Sequence, residues 1–263
     1  MPSGRREAII QDRRRRVIER HYAPKFRKEF RRMAKQVAVD YGHGGLSRAL
    51  VGLETHRDNI RELLERLYLT SSRSAIKYLK KVFKKNATQS KETKDSIFDN
   101  DDLSGDTAEA ALLQLFRKQA FTLSNTIKNT SADAIERAVE ATEKAIVEGA
   151  AEAEFGKMLR GAVYGVSKSR AEMIARTETG SALMESQFEL INDLELPPMI
   201  KEWVAFIDGR TRRDHKAVDG DKLKKDEYFN VGGKRMKYPS DRAGGVANVA
   251  NCRCTLVWEP ENE

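Results

Sequence analysis

The segment from Asp208 to Asp219 combines acidic, basic and imidazole side chains. It holds three carboxylates, one histidine and three arginines: Asp208, Asp214, Asp219, His215, Arg210, Arg212 and Arg213. Carboxylates beside a histidine can bind a metal ion or carry out acid–base chemistry. Asp208 and Asp219 also precede glycines, and Asp-Gly pairs are typical of turns. Both interpretations stay open from the sequence.

A second candidate site is the motif "NCRC", which ends with Cys252 and Cys254. Side chains two residues apart in an extended strand point to one face, so both thiols can bind one metal ion. His215 is a candidate third ligand, with an aspartate or water as the fourth. A structural zinc site normally has four strong protein ligands. The alternative is therefore a reduced thiol pair packed in the core, since cysteines this close do not form an unstrained disulfide.

A third cluster lies in "SRAEMIARTETG", the sequence of residues 169–180. Arg176 can act as a clamp for an anion or a carboxylate. The favoured alternative is a set of surface or interdomain ion pairs, each contributing little to stability. Its members are Arg170, Glu172, Arg176 and Glu178.

Positive charge is concentrated at the N-terminal end of the chain. The 263 residues include 48 Lys and Arg and 40 Asp and Glu. Residues 1–85 hold 23 basic and 9 acidic side chains, so this segment carries +14 and residues 86–263 carry -6. Such a segment favours a polyanionic partner, with a solvated helix face as the alternative. The residues predicted to contact DNA are Arg13, Arg14, Arg15, Arg16, Arg27, Lys28, Arg31, Arg32, Lys80, Lys81, Lys84 and Lys85.

This basic segment is predicted to form a helical arm. Pro24 removes a backbone donor and predicts a break between two helices. Apolar residues then recur at spacings of four, three and four, at Phe26, Phe30, Met33 and Val37. Clustered glycines predict a loop at 42–45. A second amphipathic segment, 57–85, can pair with the first as a helical hairpin.

The remaining chain is predicted to be an α+β body. Residues 86–106 are polar, which predicts a linker. The predicted domains are therefore an arm at residues 1–85 and a body at residues 107–263. Helices are expected at about 107–128, at about 131–148 with Ser131 as the N-cap, and at 168–191. The strings "EWVAFID", "CTLVWE" and "NVGGKRMKY" then predict a small antiparallel sheet at 200–258, with glycines in a hairpin turn.

The order of the motifs along the chain resembles that of a known protein family. "ARTETG" is followed by "EWVAFIDGRTRRDH" and "DG", then by "YPSDR", and last by "NCRC". This order resembles the Mu F-like minor head protein family of tailed bacteriophages, which includes the SPP1-type proteins, over about residues 107–258. The motif positions are Arg176, Thr177, Glu178, Trp203, Asp208, Arg210, Thr211, Arg212, His215, Asp219, Gly220, Pro239, Asn251, Cys252, Arg253 and Cys254.

The resemblance implies a minor capsid protein inside the head, close to the portal vertex. Such a protein enters the procapsid through the portal protein and is associated with packaged double-stranded DNA or its ejection. Major capsid or scaffold protein is a further candidate partner. The family brings no catalytic activity and no required cofactor, so zinc stays a separate candidate.

The alternative function is a virion-associated enzyme. It would be a metal-dependent nuclease using Asp208, His215 and Asp219, or an ADP-ribosyltransferase-like protein using Arg176 and Glu178. We expect no membrane partner, because the sequence has no run of about 18 apolar residues and no secretory signal. Synthesis in the host cytoplasm agrees with reduced cysteines.

Overall fold

Four long helices precede a small sheet in this structure, a computed structural model that describes residues 3–87, 105–148, 155–193 and 198–261. The helices are α1 (Ser3–Val51), α2 (Leu53–Ala87), α3 (Gly105–Val147) and α4 (Phe155–Asp193). The following elements are β1 (Met199–Val204), α5 (Arg213–Ala217), β2 (Lys222–Lys224), β3 (Phe229–Val231), β4 (Lys234–Met236), a 3-10 turn (Arg242–Gly244), α6 (Gly245–Val249) and β5 (Thr255–Pro260). The predicted α+β class, helices first and a small sheet last, is confirmed.

The predicted break at Pro24 is wrong, because α1 continues through the proline. Pro24 removes only one backbone hydrogen bond. Tyr22 before it and Phe26 after it lie one helical turn apart and are both buried, 4% and 0% exposed. Burial of these two aromatic rings holds the backbone helical across the proline.

The glycine loop is where the helix does break. Gly44 and Gly45 have non-helical backbone angles, and Gly45 has φ 68°, in the left-handed region that favours glycine. The second amphipathic segment forms α2, as predicted.

Two helix boundaries in the body also differ from prediction. The helices expected at 107–128 and 131–148 are a single helix, α3. Ser131 donates a hydrogen bond to the carbonyl of Ile127 at 2.7 Å, four residues earlier, instead of capping a new helix. The helix expected at 168–191 begins earlier, at Phe155.

Four of the described strands overlap the predicted strings, whereas β2 lies outside them. β1 is the central strand and pairs antiparallel with β2 and with β5, Val204 opposite Thr255. β3 and β4 form a separate hairpin, and both turn residues, Gly232 and Gly233, have positive φ (58° and 77°). These values suit the tight turn that connects two strands through two residues.

The chain divides into two compact units. The first comprises Met1–Glu19, Leu67–Gln114 and Arg176–Glu263, and the second comprises Arg20–Arg66 and Leu115–Ala175. The predicted linker falls largely on residues 88–104, outside the described part of the chain, so the division into arm, linker and body stays a prediction. Across the described ranges, no helix is long and apolar enough to cross a bilayer.

Each unit has its own core. In the first, Trp203 (0% exposed) packs edge-on against Phe229, with ring centroids 5.2 Å apart. In the second, the predicted stripe of α1 is buried: Phe26, Phe30, Met33 and Val37 are 0–4% exposed. Burial of such side chains is the main stabilising contribution of the helical stripe.

Candidate metal centre and motif contacts

His215, Cys252 and Cys254 meet in the core of the first unit. His215 lies on the short helix α5, and the two cysteines flank Arg253 in the segment between α6 and β5. Their side chains are buried, with His215 and Cys252 2% exposed and Cys254 5% exposed. The structure thus brings together the three residues that the sequence indicated as metal ligands.

One imidazole nitrogen faces both sulfurs. His215 Nδ1 lies 3.4 Å from Cys254 Sγ and 3.6 Å from Cys252 Sγ. The ring stands nearly perpendicular to Trp203, with centroids 5.6 Å apart, and Nε2 is buried without a hydrogen-bond partner among the described residues. Nδ1, and not Nε2, therefore faces the thiols.

The two thiols influence each other's ionisation. The hydrogen bond from Cys254 lowers the pKa of Cys252 well below its usual range, and His215 adds to this effect. The same hydrogen bond, together with burial, raises the pKa of Cys254. The first negative charge of the pair therefore resides on Cys252.

Asp208 organises the turn after β1. Its carboxylate accepts a hydrogen bond from Arg253 at 2.5 Å and another from the backbone N–H of Arg210 at 2.8 Å. Thr211 also hydrogen-bonds to this carboxylate and donates to the carbonyl of Phe206. The Arg253 hydrogen bond, followed by the one from Arg210, holds the pKa of Asp208 well below its usual range. A carboxylate engaged in this way has a structural role in the turn.

Asp219 occupies a similar structural position. Its carboxylate accepts a hydrogen bond from the backbone N–H of Ala205 at 2.8 Å and a second from Arg5. Gly220 follows with φ 88° and donates its N–H to the carbonyl of Trp203 at 2.7 Å. Within the described ranges, the three-residue cluster of potential metal ligands contains His215 and the two cysteines, and neither Asp208 nor Asp219 is part of it.

The motif residues of α4 contact the other motif segments. Thr177 accepts a hydrogen bond from the backbone N–H of Asn251 at 3.0 Å, and Arg176 donates to the Asn251 side chain at 3.0 Å. One turn further along α4, Ser181 donates to the carbonyl of Ser240 at 3.1 Å. These contacts join "ARTETG" to "NCRC" and to "YPSDR".

The Glu178 carboxylate is buried, with the residue 4% exposed. It accepts hydrogen bonds from the Tyr68 hydroxyl at 2.6 Å and from Arg242 at 2.7 Å. Burial, together with the Glu178 charge, raises the pKa of Tyr68 well above its usual value, so the hydroxyl stays protonated and donates. The buried Glu178 carboxylate is thus held in an ion pair with Arg242, whereas weak surface or interdomain pairs were expected from the sequence.

Comparison with known proteins identifies this set of motifs. Residues 133–257 match the family described as Phage Mu protein F like protein. This segment, here called the Mu F-like region, is therefore similar to that family. The match confirms the resemblance inferred from the order of the motifs and begins within the predicted range of about 107–258.

A second comparison leads to a curated relative. The chain is 39% identical over 95 residues to a protein named NAD(+)--arginine ADP-ribosyltransferase EFV from Enterococcus faecalis (strain ATCC 700802 / V583). The similarity covers 35% of this chain and 19% of that protein, so the chain spans about a fifth of the relative's length. No solved structure matches the chain.

Outside the Mu F-like region, the predicted DNA-binding residues differ in exposure. Arg13, Arg16, Lys28, Arg31, Arg32 and Lys81 are exposed, whereas Arg14, Arg27 and Lys80 are partly exposed. The side chains of Lys84 and Lys85 lie outside the described part. Arg27 pairs with Glu172 at 2.5 Å.

Arg15 requires a correction. It is 5% exposed, forms a salt bridge with Asp12, and donates to the carbonyl of Cys252 at 3.3 Å. Its guanidinium group stabilises the "NCRC" segment and is not available to a polyanion. No local pattern indicates this, because Arg15 is one of four consecutive arginines.

Sequence reasoning also missed three partners of the motif residues: Arg5, Tyr68 and Arg242. Arg242 ends the string "YPSDR", which indicated the segment but not its partner Glu178. Tyr68 and Arg5 lie more than 100 positions away from the carboxylates that they contact. No local spacing in the sequence could have predicted these pairs.

Proposed function

We propose that this chain is a minor head protein of a tailed bacteriophage, which holds its shape inside the head and contacts portal protein and packaged DNA. The observation that carries the proposal is the Mu F-like region, residues 133–257. The polar motif residues of this region hydrogen-bond to one another and to nearby backbone, which supports a structural role more than a reaction centre.

The contacts of the candidate catalytic residues support a role other than catalysis. Glu178 is buried between Tyr68 and Arg242, and Asp208 is engaged by Arg253 and neighbouring backbone. A general base must be able to reach the proton that it removes from a substrate. Carboxylates already engaged by arginine are poorly placed for that step.

Association with the head can be tested directly. The chain is produced together with the portal, scaffold and major capsid proteins of the phage that encodes it, and procapsids are isolated on a density gradient. We expect the chain to copurify with procapsids that contain portal protein and to be absent from procapsids assembled without portal protein. Absence from purified infectious particles would overturn the proposal.

The proposed DNA contact rests on the exposed face of α1. Lys28, Arg31 and Arg32 are exposed, while Phe26 and Phe30, on the opposite side of the same helix, are buried. Three such phosphate contacts give a slope of log K against log salt of about -2.7, so affinity should fall about 40-fold between 50 and 200 mM salt. Because phosphates carry no sequence information, two unrelated duplexes should bind equally.

A charge-reversal pair tests this surface by fluorescence anisotropy. Lys28→Glu with Arg31→Glu should remove about two-thirds of the salt slope. The matched control is Arg117→Glu with Lys118→Glu, which reverses two exposed charges on α3. If both pairs weaken binding equally, the α1 face is not the DNA contact.

The second candidate function, ADP-ribose transfer, is favoured by the name of the Enterococcus faecalis relative. In this chain Arg176 and Glu178 would be its candidate residues. Incubation of the native chain with labelled NAD+ and arginine-containing acceptor protein tests it. Label transfer that disappears in Glu178→Gln, with the melting temperature preserved, would establish this candidate over the structural role.

A further inference from the structure

We infer that His215, Cys252 and Cys254 bind a zinc ion, with one water molecule as the fourth ligand. The inference is independent of the phage role. It rests on the distances between the three donor atoms, on their burial, and on a cavity that reaches all three residues.

The donor atoms are spaced like the corners of a zinc tetrahedron. Zinc bonds of about 2.3 Å to sulfur and about 2.0–2.1 Å to nitrogen, at tetrahedral angles, place S and N about 3.6 Å apart. In the structure His215 Nδ1 is 3.4 Å from one sulfur and 3.6 Å from the other. All three donor atoms lie within 4.8 Å of one another. The ligands therefore need little movement to surround the ion.

The buried position of the cluster suits a zinc complex. Two sulfurs and an imidazole nitrogen are the donors that zinc prefers. Two thiolates and one Zn²⁺ carry no net charge, so the complex can be buried without the large cost of an uncompensated ion. Two arginines that line the adjacent cavity have other partners: Arg253 bonds to Asp208, and Arg212 donates to the carbonyl of Ala250 at 2.6 Å.

The fourth position faces a small polar cavity. The cavity has a volume of about 20 Å³ and is lined by the three ligand residues together with Arg210, Thr211 and Asn251, among others. A space of this size holds one water molecule. The cluster of potential ligands contains no fourth member in the described ranges, so water completes the tetrahedron.

A bound ion would join two distant parts of the unit. His215 lies 39 residues before Cys254, on α5, whereas the cysteines lead directly into β5. A zinc ion would hold α5 against the start of β5, in addition to the sheet hydrogen bonds. Removal of the ion should then lower stability, because an ion that binds only the native state stabilises it.

The first test uses the native chain. Protein purified without added chelator and dialysed against metal-free buffer is analysed for zinc by mass spectrometry, and we expect about one ion per chain. Exchange for Co²⁺ should produce the visible absorption of a tetrahedral thiolate site. Treatment with a strong chelator should lower the melting temperature, and equimolar Zn²⁺ should restore it. Absence of zinc, together with no cobalt spectrum, would overturn the inference.

The second test uses single substitutions. His215→Ala, Cys252→Ser and Cys254→Ser should each reduce bound zinc to below about a tenth of an ion per chain. The matched control is His43→Ala, an exposed histidine on α1. If a substituted chain fails to fold, the native measurements still decide. A folded Cys252→Ser chain that retains stoichiometric zinc would contradict the assignment.

The water ligand has its own readout. Azide can displace a metal-bound water but cannot displace a tightly held protein ligand, so azide should shift the cobalt spectrum of the native chain. An unchanged spectrum at saturating azide would overturn the assignment of an exchangeable water as the fourth ligand.

Discussion

Replacement of Glu178 should destabilise the first unit, because two hydrogen bonds end on its buried carboxylate. It is 4% exposed and accepts hydrogen bonds from Tyr68 at 2.6 Å and Arg242 at 2.7 Å. Glu178→Ala leaves the fully buried Tyr68 hydroxyl without its acceptor, which costs about 1–3 kcal/mol. The Arg242 side chain is 43% exposed, so loss of its ion pair adds at most about 1 kcal/mol.

Together these contributions predict a loss of about 3 kcal/mol in the free energy of unfolding. For a unit of this size the melting temperature should fall by about 6–12 °C. Urea unfolding followed by circular dichroism measures the free energy. Glu140→Ala, an exposed glutamate on α3, is the matched control and should stay within about 0.5 kcal/mol of the unsubstituted chain.

A double substitution tests the cause. Tyr68→Phe removes the hydroxyl that Glu178→Ala leaves without an acceptor. The free energy of unfolding of the double variant should therefore exceed that of Glu178→Ala alone by at least about 1 kcal/mol. If the two losses simply add, the orphaned hydroxyl is not the source of the destabilisation and the reasoning is refuted.

Three further substitutions follow from backbone and charge. Gly232→Ala should destabilise the β3–β4 hairpin by more than about 1 kcal/mol, because Gly232 has φ 58° and an added Cβ would lie about 2.4 Å from the Asp214 carboxylate. The control is Gly209→Ala, since the space around an added Cβ at that position is open. Equal urea midpoints for the two variants would contradict this prediction. Lys201 is buried, and burial lowers its pKa to about 8. Between pH 8 and about 10.5 the unfolded chain therefore binds one more proton at Lys201 than the folded chain does. The free energy of unfolding should rise with pH over that window, by up to about 3 kcal/mol relative to Lys201→Met. Parallel curves of unfolding free energy against pH for the two chains would refute this prediction. Pro24→Ala should raise the melting temperature, because it restores one helical hydrogen bond inside α1, and an unchanged or lower value would show that the proline is accommodated without cost.

Local patterns predicted the elements whose residues have strong backbone preferences. Gly232 and Gly233 form the hairpin turn, and Gly45 breaks α1, because only glycine adopts positive φ without strain. The two tryptophan-containing strings form β1 and β5. In each case one or two neighbouring residues determine the conformation.

Predictions failed where distant packing outweighs local preference. The burial of Tyr22 and Phe26 keeps α1 helical at Pro24, although the proline alone favours a break. Arg15 was grouped with its exposed neighbours, but its place on the inner face of α1 buries it. Such outcomes depend on which segments meet in space, and the local sequence does not contain that information.

In the candidate site, too, residue types were predictable from the sequence and distant contacts were not. His215, Cys252 and Cys254 could be proposed together because their residue types suit one metal ion. The partners of Glu178 could not be proposed, since Tyr68 lies 110 positions away along the chain. Residue chemistry predicted the ligands, whereas the supporting contacts required the fold.

The pairing of β1 with β5 has a consequence for the time course of synthesis. Val204 finds its partner Thr255 only 51 residues later. At a ribosomal rate of about 5–20 residues per second, β1 waits roughly 3–10 s for that partner. During this interval β2 can cover one edge of β1, and the other edge stays open to pairing with a foreign strand. Until β5 emerges, the open edge of β1 is therefore a site at which the newly made chain can aggregate.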